Sequence, residues 1–224
     1  ADAGGATLVQ GLSLFLNDLA SNRTTITDEK AFEVGKNIAT TPGSVVFEND
    51  VMQLIQYKPA TGEVHEIPLV MIPPAINKFY ILDLQPENSL VRYAVAQGHT
   101  VFMLSWRNIT PDVGHLTWDD YLQQGIMKAI NVAREICDIE QVNTLGFCVG
   151  GTLLASGLAV MKGQNEDPVA SMTLLTTMLD STDNGEIVFL INAESLGQKE
   201  ATIGNGGVMP GRELGLVFSS LRAN

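Results

Sequence analysis

The stretch Leu145-Gly146-Phe147-Cys148-Val149-Gly150-Gly151-Thr152 sets one cysteine between glycines. Ahead of it, Gln141-Val142-Asn143-Thr144-Leu145 is apolar and β-branched, the pattern of a buried strand. Behind it, Leu153 to Met161 is long and apolar enough for a buried helix. Strand, Gly-x-Cys-x-Gly and helix together spell a nucleophile elbow with Cys148 as the nucleophile. A side chain on so sharp a turn sits on strained backbone, and Gly146 and Gly150 keep its neighbours free of clashing groups. Gly151 lets the helix lie close to the sheet. The helix N-terminus points at Cys148, where its dipole and free N–H groups favour a thiolate and a developing oxyanion.

Outward from this stretch the chain alternates strand and helix. Ile67 to Ile72 reads as a buried strand closed by Pro73-Pro74, and Glu87 to Gln97 as a helix ending at Gly98. Thr100 to Ser105 is the next strand. Thr117 is an N-cap for a helix running to about Cys137, with Trp118, Leu122, Ile126, Ala129, Ala133 and Ile136 on one face. Ala170 to Thr177 is a strand after the elbow helix. Such alternation implies an α/β protein with a mostly parallel sheet, here an α/β-hydrolase fold with the elbow on a central strand. Upstream, Ser44 to Glu48 and Met52 to Tyr57 read as a hairpin around Asn49-Asp50, the antiparallel edge of that sheet.

The ends read differently. Residues 1–26 carry Leu8, Leu12, Phe15, Leu16 and Leu19 at helical spacing, the end of an N-terminal helical region. A short helix is expected from about Asp28 to Ile38, stopped by Thr40-Thr41-Pro42-Gly43. Residues 27–183 form an incomplete hydrolase core. From residue 184 to 224 glycines interrupt modest apolar patches, which reads as the start of a cap or lid insertion. Both ends look cut, so a fragment of a longer enzyme is expected.

With 224 residues and 45% hydrophobic content, the chain suits one substantial core. A net charge of −12 argues against nucleic acid as a partner, and a polyanionic ligand would need a local basic pocket. No membrane span is expected. Two cysteines, Cys137 and Cys148, do not make a disulfide scaffold and suit a reducing compartment. No metal and no cofactor is expected.

A cysteine nucleophile needs a base, and the base an orienting carboxylate. In this fold the chain order is nucleophile, acid, histidine. All three histidines, His65, His99 and His115, precede Cys148, and each reads as a surface or capping residue. Asp180 and Asp183 read as structural residues at a strand end. The proton-transfer half of the site is thus missing, as in a fragment of a longer enzyme or a remnant that binds without turnover, and no catalytic Asp or His is assigned in this chain. The oxyanion hole is better supplied, by the N–H of Val149 and one from the loop Pro73-Pro74-Ala75-Ile76-Asn77-Lys78, with Ile76 (or Ala75) the natural donor.

These residues closely resemble the polyhydroxyalkanoate synthases. The match is carried by Gly146 to Thr152 and by Pro73 to Leu84. Gln97-Gly98-His99-Thr100-Val101-Phe102, Ser105-Trp106-Arg107-Asn108, Thr117-Trp118-Asp119-Asp120-Tyr121 and Ala31 to Asn37 add to it. The resemblance implies an acyltransferase that joins (R)-3-hydroxyacyl groups from coenzyme A thioesters into a growing polyester through Cys148. It also implies a homodimeric full-length enzyme at the surface of cytoplasmic granules, of the single-subunit type preferring short side chains. Asp83, Trp106 and Arg107, near strand ends, are candidates for shaping the site, with a structural role open for each. Two other outcomes stay open on the residues alone: a cysteine-dependent esterase or lactone hydrolase on the same fold, and an inactive binding fragment.

Overall fold

The structure, a computed structural model, describes residues 5–21, 28–183, 193–204, 207–211 and 213–215. The chain divides into two compact units, one of Ala1–Phe32 with Met209–Asn224, the other Glu33–Val208.

In the first unit, helix α1 (Ala6–Ser21) forms where the leucine spacing predicts one. Further on, the Asp28 carboxylate accepts from the Lys30 N–H at 3.0 Å and caps a single 3-10 turn, Glu29–Ala31. The helix expected from about Asp28 to Ile38 does not form. Phe32 is extended, Gly35 has φ +82°, and the Asn37 side chain takes the Glu33 N–H at 2.7 Å. A glycine and a β-branched valine are weak helix formers, and an asparagine side chain competes for the backbone donors that a helix needs.

The second unit is built on a six-stranded sheet. Its strands are β1 (Gly43–Glu48), β2 (Met52–Tyr57), β3 (Leu69–Ile72), β4 (Val101–Trp106), β5 (Val142–Phe147) and β6 (Val169–Leu175). Their spatial order is β1-β2-β4-β3-β5-β6. The hairpin β1–β2 joins β4 antiparallel, and β4, β3, β5 and β6 run parallel to one another. Strand β5, which leads into Cys148, is paired on both sides.

Alternate residues of each strand face opposite layers. Met52, Leu54, Val70, Ile72, Phe102, Leu104 and Trp106 share one core, while Tyr57, Met71, Val101, Met103 and Leu145 share the other. Helix α2 (Leu90–Ala96), capped by the Ser89 hydroxyl on the Arg92 N–H, covers the second core with Val91, Ala94 and Val95. Gly98, with φ +85°, ends it as expected.

The first core is covered by a composite helix: the turn α3 (Trp118–Asp120), a π-helical segment Tyr121–Met127, and α4 (Lys128–Cys137). Thr117 caps it with a reciprocal bond to Asp120. Leu122, Ile126, Ala129 and Ala133 are buried as predicted, but Trp118 and Ile136 are 48% and 44% exposed. A π segment winds more loosely than an α-helix, so the two ends of a stripe laid out at 3.6 residues per turn rotate off the sheet. Helix α5 (Val149–Gly163) completes this layer, and Gly157 admits Ile126 so closely that a methyl there would stand 2.8 Å from its Cγ2. Burying side chains such as Phe102, Leu153 and Leu154 contributes about 1.5–3 kcal/mol each.

Beyond β6, helix α6 (Ala193–Ile203) follows; residues 184–192 and 216–224 of the expected cap lie outside the described residues.

Candidate active site

Cys148 stands between β5 and α5 with φ +54° and ψ −128°, a conformation that a side-chain-bearing residue adopts only under constraint. The constraint comes from three neighbours. The Cys148 N–H donates to the Leu175 carbonyl at 2.9 Å, tying the turn to β6. Its own carbonyl accepts from Gly151 at 2.9 Å and Thr152 at 3.3 Å, so Cys148 is the N-cap of α5. The glycines remove every obstacle. A methyl on Gly146 would lie 2.4 Å from Gly151 Cα, one on Gly150 would lie 2.5 Å from the Ile72 and Pro73 oxygens, and one on Gly151 would lie 2.1 Å from Thr177 Oγ1. Cys148 is half-buried and carries a free thiol.

Val149, the first residue of α5, has an N–H with no intrahelical acceptor, as every helix start does. On the other side, Ile72 pairs in register with Gly146, which sets the start of the Pro73–Lys78 loop level with Phe147 and Cys148. The Pro74 carbonyl accepts from the Asn77 N–H at 3.1 Å, leaving Ala75 and Ile76 at the centre of the turn. Among the described residues neither the Val149 nor the Ile76 N–H donates to a backbone carbonyl. Both loops thus open at the carboxyl end of the parallel strands, where α/β sheets bind ligands.

The other candidates fall into distinct surroundings. Asp83 is 2% exposed, and its Oδ1 accepts the Thr41 and Ser89 hydroxyls, each at 2.6 Å. Trp106 ends β4, and its indole Nε1 donates to the Pro73 carbonyl at 2.8 Å. Arg107 is bracketed by carboxylates, at 3.6 Å from Asp50 and 3.3 Å from Asp112. Asp112 is held below the usual carboxylate range chiefly by the Thr110 hydroxyl. Lys78 donates to the Asn108 side-chain oxygen, joining the loops after β3 and β4.

None of the three histidines lies on the elbow or on the strands and helix that flank it. His65 and His99 precede β3 and β4, at the amino end of the sheet, with ring centroids 4.7 Å apart. Burial, and then His65, push the His99 imidazole below its ordinary value. His115 lies in the exposed loop after β4, its Nδ1 3.1 Å from the Asp112 carbonyl. Asp180 is exposed beyond β6 and accepts the Thr182 N–H at 2.9 Å, which lowers its pKa. No cluster of metal-ligating side chains occurs among the described residues, and no helix among them is long and apolar enough to cross a membrane.

Sequence reasoning missed the π segment, the Trp106–Pro73 bond and the Thr41–Asp83–Ser89 clamp. Only Gly125, whose added methyl would lie 2.7 Å from the Trp106 ring, left a trace of the first two in the sequence.

Comparison with known proteins agrees with this fold. Residues 68–199 match the family described as alpha/beta hydrolase fold, and residues 1–94 match the N-terminus of poly-beta-hydroxybutyrate polymerase (PhaC). The poly(3-hydroxyalkanoate) polymerase subunit PhaC of Cupriavidus necator is 50% identical over all of this chain, which covers 39% of that relative. The subunit of the same name from Rhizobium meliloti is 39% identical over 99% of this chain and 37% of its own length. The chain thus spans about two fifths of these curated relatives. Among solved structures, EstE5 superposes with a TM-score of 0.51 at 13% identity, over 83% of this chain and 65% of that one, a likeness of fold alone. Over its whole length the chain is similar in sequence to the poly(3-hydroxyalkanoate) polymerases, and it belongs to the α/β-hydrolase fold family.

Proposed function

We propose that these residues carry the nucleophile half of a polyhydroxyalkanoate synthase site, acting on (R)-3-hydroxyacyl coenzyme A. The observation that carries this reading is Cys148 held at φ +54° on the elbow, with the N–H groups of Val149 and Ile76, which donate to no backbone carbonyl, on the loops at the same end of the sheet.

The chemistry follows from those groups. The Cys148 sulfur attacks the thioester carbonyl carbon, and its proton passes to a base supplied from outside these residues. The carbonyl π electrons move onto oxygen, where the Val149 and Ile76 N–H groups stabilise the anion. When the carbonyl re-forms, the bond to the coenzyme A sulfur breaks and the thiol leaves with a proton. Two sulfurs of similar leaving ability make the exchange nearly balanced, which suits cysteine to a coenzyme A donor. The 3-hydroxyl of a growing chain then attacks the Cys148 thioester, lengthening the polyester and freeing the thiol. The catalytic Asp and His that move these protons are assigned outside this chain. The full-length protein is proposed to work as a homodimer at the surface of cytoplasmic polyester granules.

The test is Cys148→Ala in the full-length protein supplied with radiolabelled 3-hydroxybutyryl coenzyme A. Neither covalently labelled protein nor polymer is expected. Label incorporated into polymer at the native rate would remove the assignment.

A further inference from the structure

We propose that Trp106 is a positioning residue for the oxyanion loop, acting through the Pro73 carbonyl; this rests on the assignment of Ile76 as an oxyanion donor. The loop after β3 begins with two buried prolines, Pro73 and Pro74. Neither has an N–H, so only carbonyls can tether the chain there. The Pro74 carbonyl closes the turn onto Asn77, with Ile76 at its centre. The Pro73 carbonyl takes the Trp106 indole N–H at 2.8 Å, across 33 residues of sequence and out of water.

The same carbonyl is also packed by the elbow. A methyl on Gly150 would lie 2.5 Å from the Pro73 oxygen, so the residue after Val149 packs directly on it. Both proposed oxyanion donors are therefore referenced to one oxygen atom, and Trp106 fixes that atom. The indole is itself fixed: it is 8% exposed, its ring centroid is 5.4 Å from that of Tyr121, and it leaves no room for a side chain at Gly125 in the π segment. Without the indole N–H the Pro73 carbonyl would be buried with no donor in place, and the turn would relax to find one. Oxyanion donors act in the transition state, so a small displacement lowers kcat and leaves substrate binding alone.

The experiment replaces Trp106 in the full-length protein in two ways, Trp106→Phe and Trp106→β-(3-benzothienyl)alanine, the latter an isostere with sulfur in place of the N–H. Both should lower kcat about tenfold or more with KM within about twofold, less than the loss of a whole oxyanion donor. Iodoacetamide should alkylate Cys148 at the native rate. An unchanged kcat, a raised KM with native kcat, or a parallel fall in kcat and in alkylation would each overturn the inference. Should the phenylalanine variant fail to fold, the isostere, which keeps the ring shape, decides alone. Cys148→Ala run alongside keeps the two claims apart: acyl transfer surviving there sinks the proposed function, whereas a dead Cys148→Ala beside a fully active isostere sinks only the role of Trp106.

Discussion

Gly146 and Gly151 meet backbone to backbone: a methyl on the first would stand 2.4 Å from the Cα of the second. No rotamer change relieves such a contact, because neither partner has a side chain to move. Gly146→Ala should therefore destabilise the protein by about 3 kcal/mol or more, at the upper end of overpacking penalties. Gly163→Ala is the control. It lies at the far end of the helix that holds Gly151, with nothing within 4 Å of the added methyl, and should change stability by less than about 1 kcal/mol. Urea denaturation of both variants checks the contrast, and equal losses would show that the elbow tolerates a wider turn.

The buried Asp83 joins segments far apart in sequence. Its Oδ1 accepts both the Thr41 and Ser89 hydroxyls, while Ser89 also caps α2 on the Arg92 N–H. Asp83→Ala should cost about 2–4 kcal/mol, since two buried donors lose their acceptor at once. Ser89→Ala removes one of those bonds and the cap, for about 1–2 kcal/mol. Denaturation midpoints should fall in that order, and the reverse order would assign the clamp to Ser89 instead.

Tyr57, 2% exposed, has its phenol pushed far above the ordinary value, first by burial and then by the Asp83 charge. The native state thus holds this proton more tightly than the unfolded chain does. Its contribution is fully present below the unfolded value, about 10, and is lost as pH climbs from there through the folded value. Tyr57→Phe should flatten the fall of stability above about pH 10 and leave the neutral range little changed. Denaturation curves at pH 8 and pH 11 measure it, and an undiminished alkaline fall would place the sensitivity elsewhere.

The two thiols offer an internal comparison. Both are half-buried; burial pushes the Cys137 thiol up, so little of it is thiolate near neutral pH, whereas Cys148 stands at the start of a fifteen-residue helix. At pH 7.5 iodoacetamide should label Cys148 at least about tenfold faster. Mass mapping of the native chain gives the ratio, and equal rates would mean that the elbow does not activate its cysteine.

How much of this was legible follows from where the information lies. The elbow could be read because each of its glycines answers a close approach that only a missing side chain permits. The strands could be read because a sheet covered on both faces leaves unbroken apolar runs such as Val101 to Leu104. The stretch from Asp28 to Ile38 misled, since the Asn37 side chain intercepts a backbone donor that spacing alone assigns to a helix. The phase error at Trp118 and Ile136 arose because one π segment inside a helix shifts its register without changing its composition. The Trp106–Pro73 bond left almost no signal, for it couples a side chain to a carbonyl, and carbonyls look alike in every sequence.

The walls around Cys148 come from three separate strands: the oxygens of Ile72 and Pro73 at the end of β3, Gly146 within β5, and the Leu175 carbonyl with Thr177 at the end of β6. Nothing local to the Gly-Phe-Cys-Val-Gly sequence can hold that backbone by itself. During folding, a chain with only the hairpin and β4 assembled carries an ordinary, unstrained cysteine. The strained backbone at Cys148 thus depends on every one of these strands, and it is in place only once the last of them has docked.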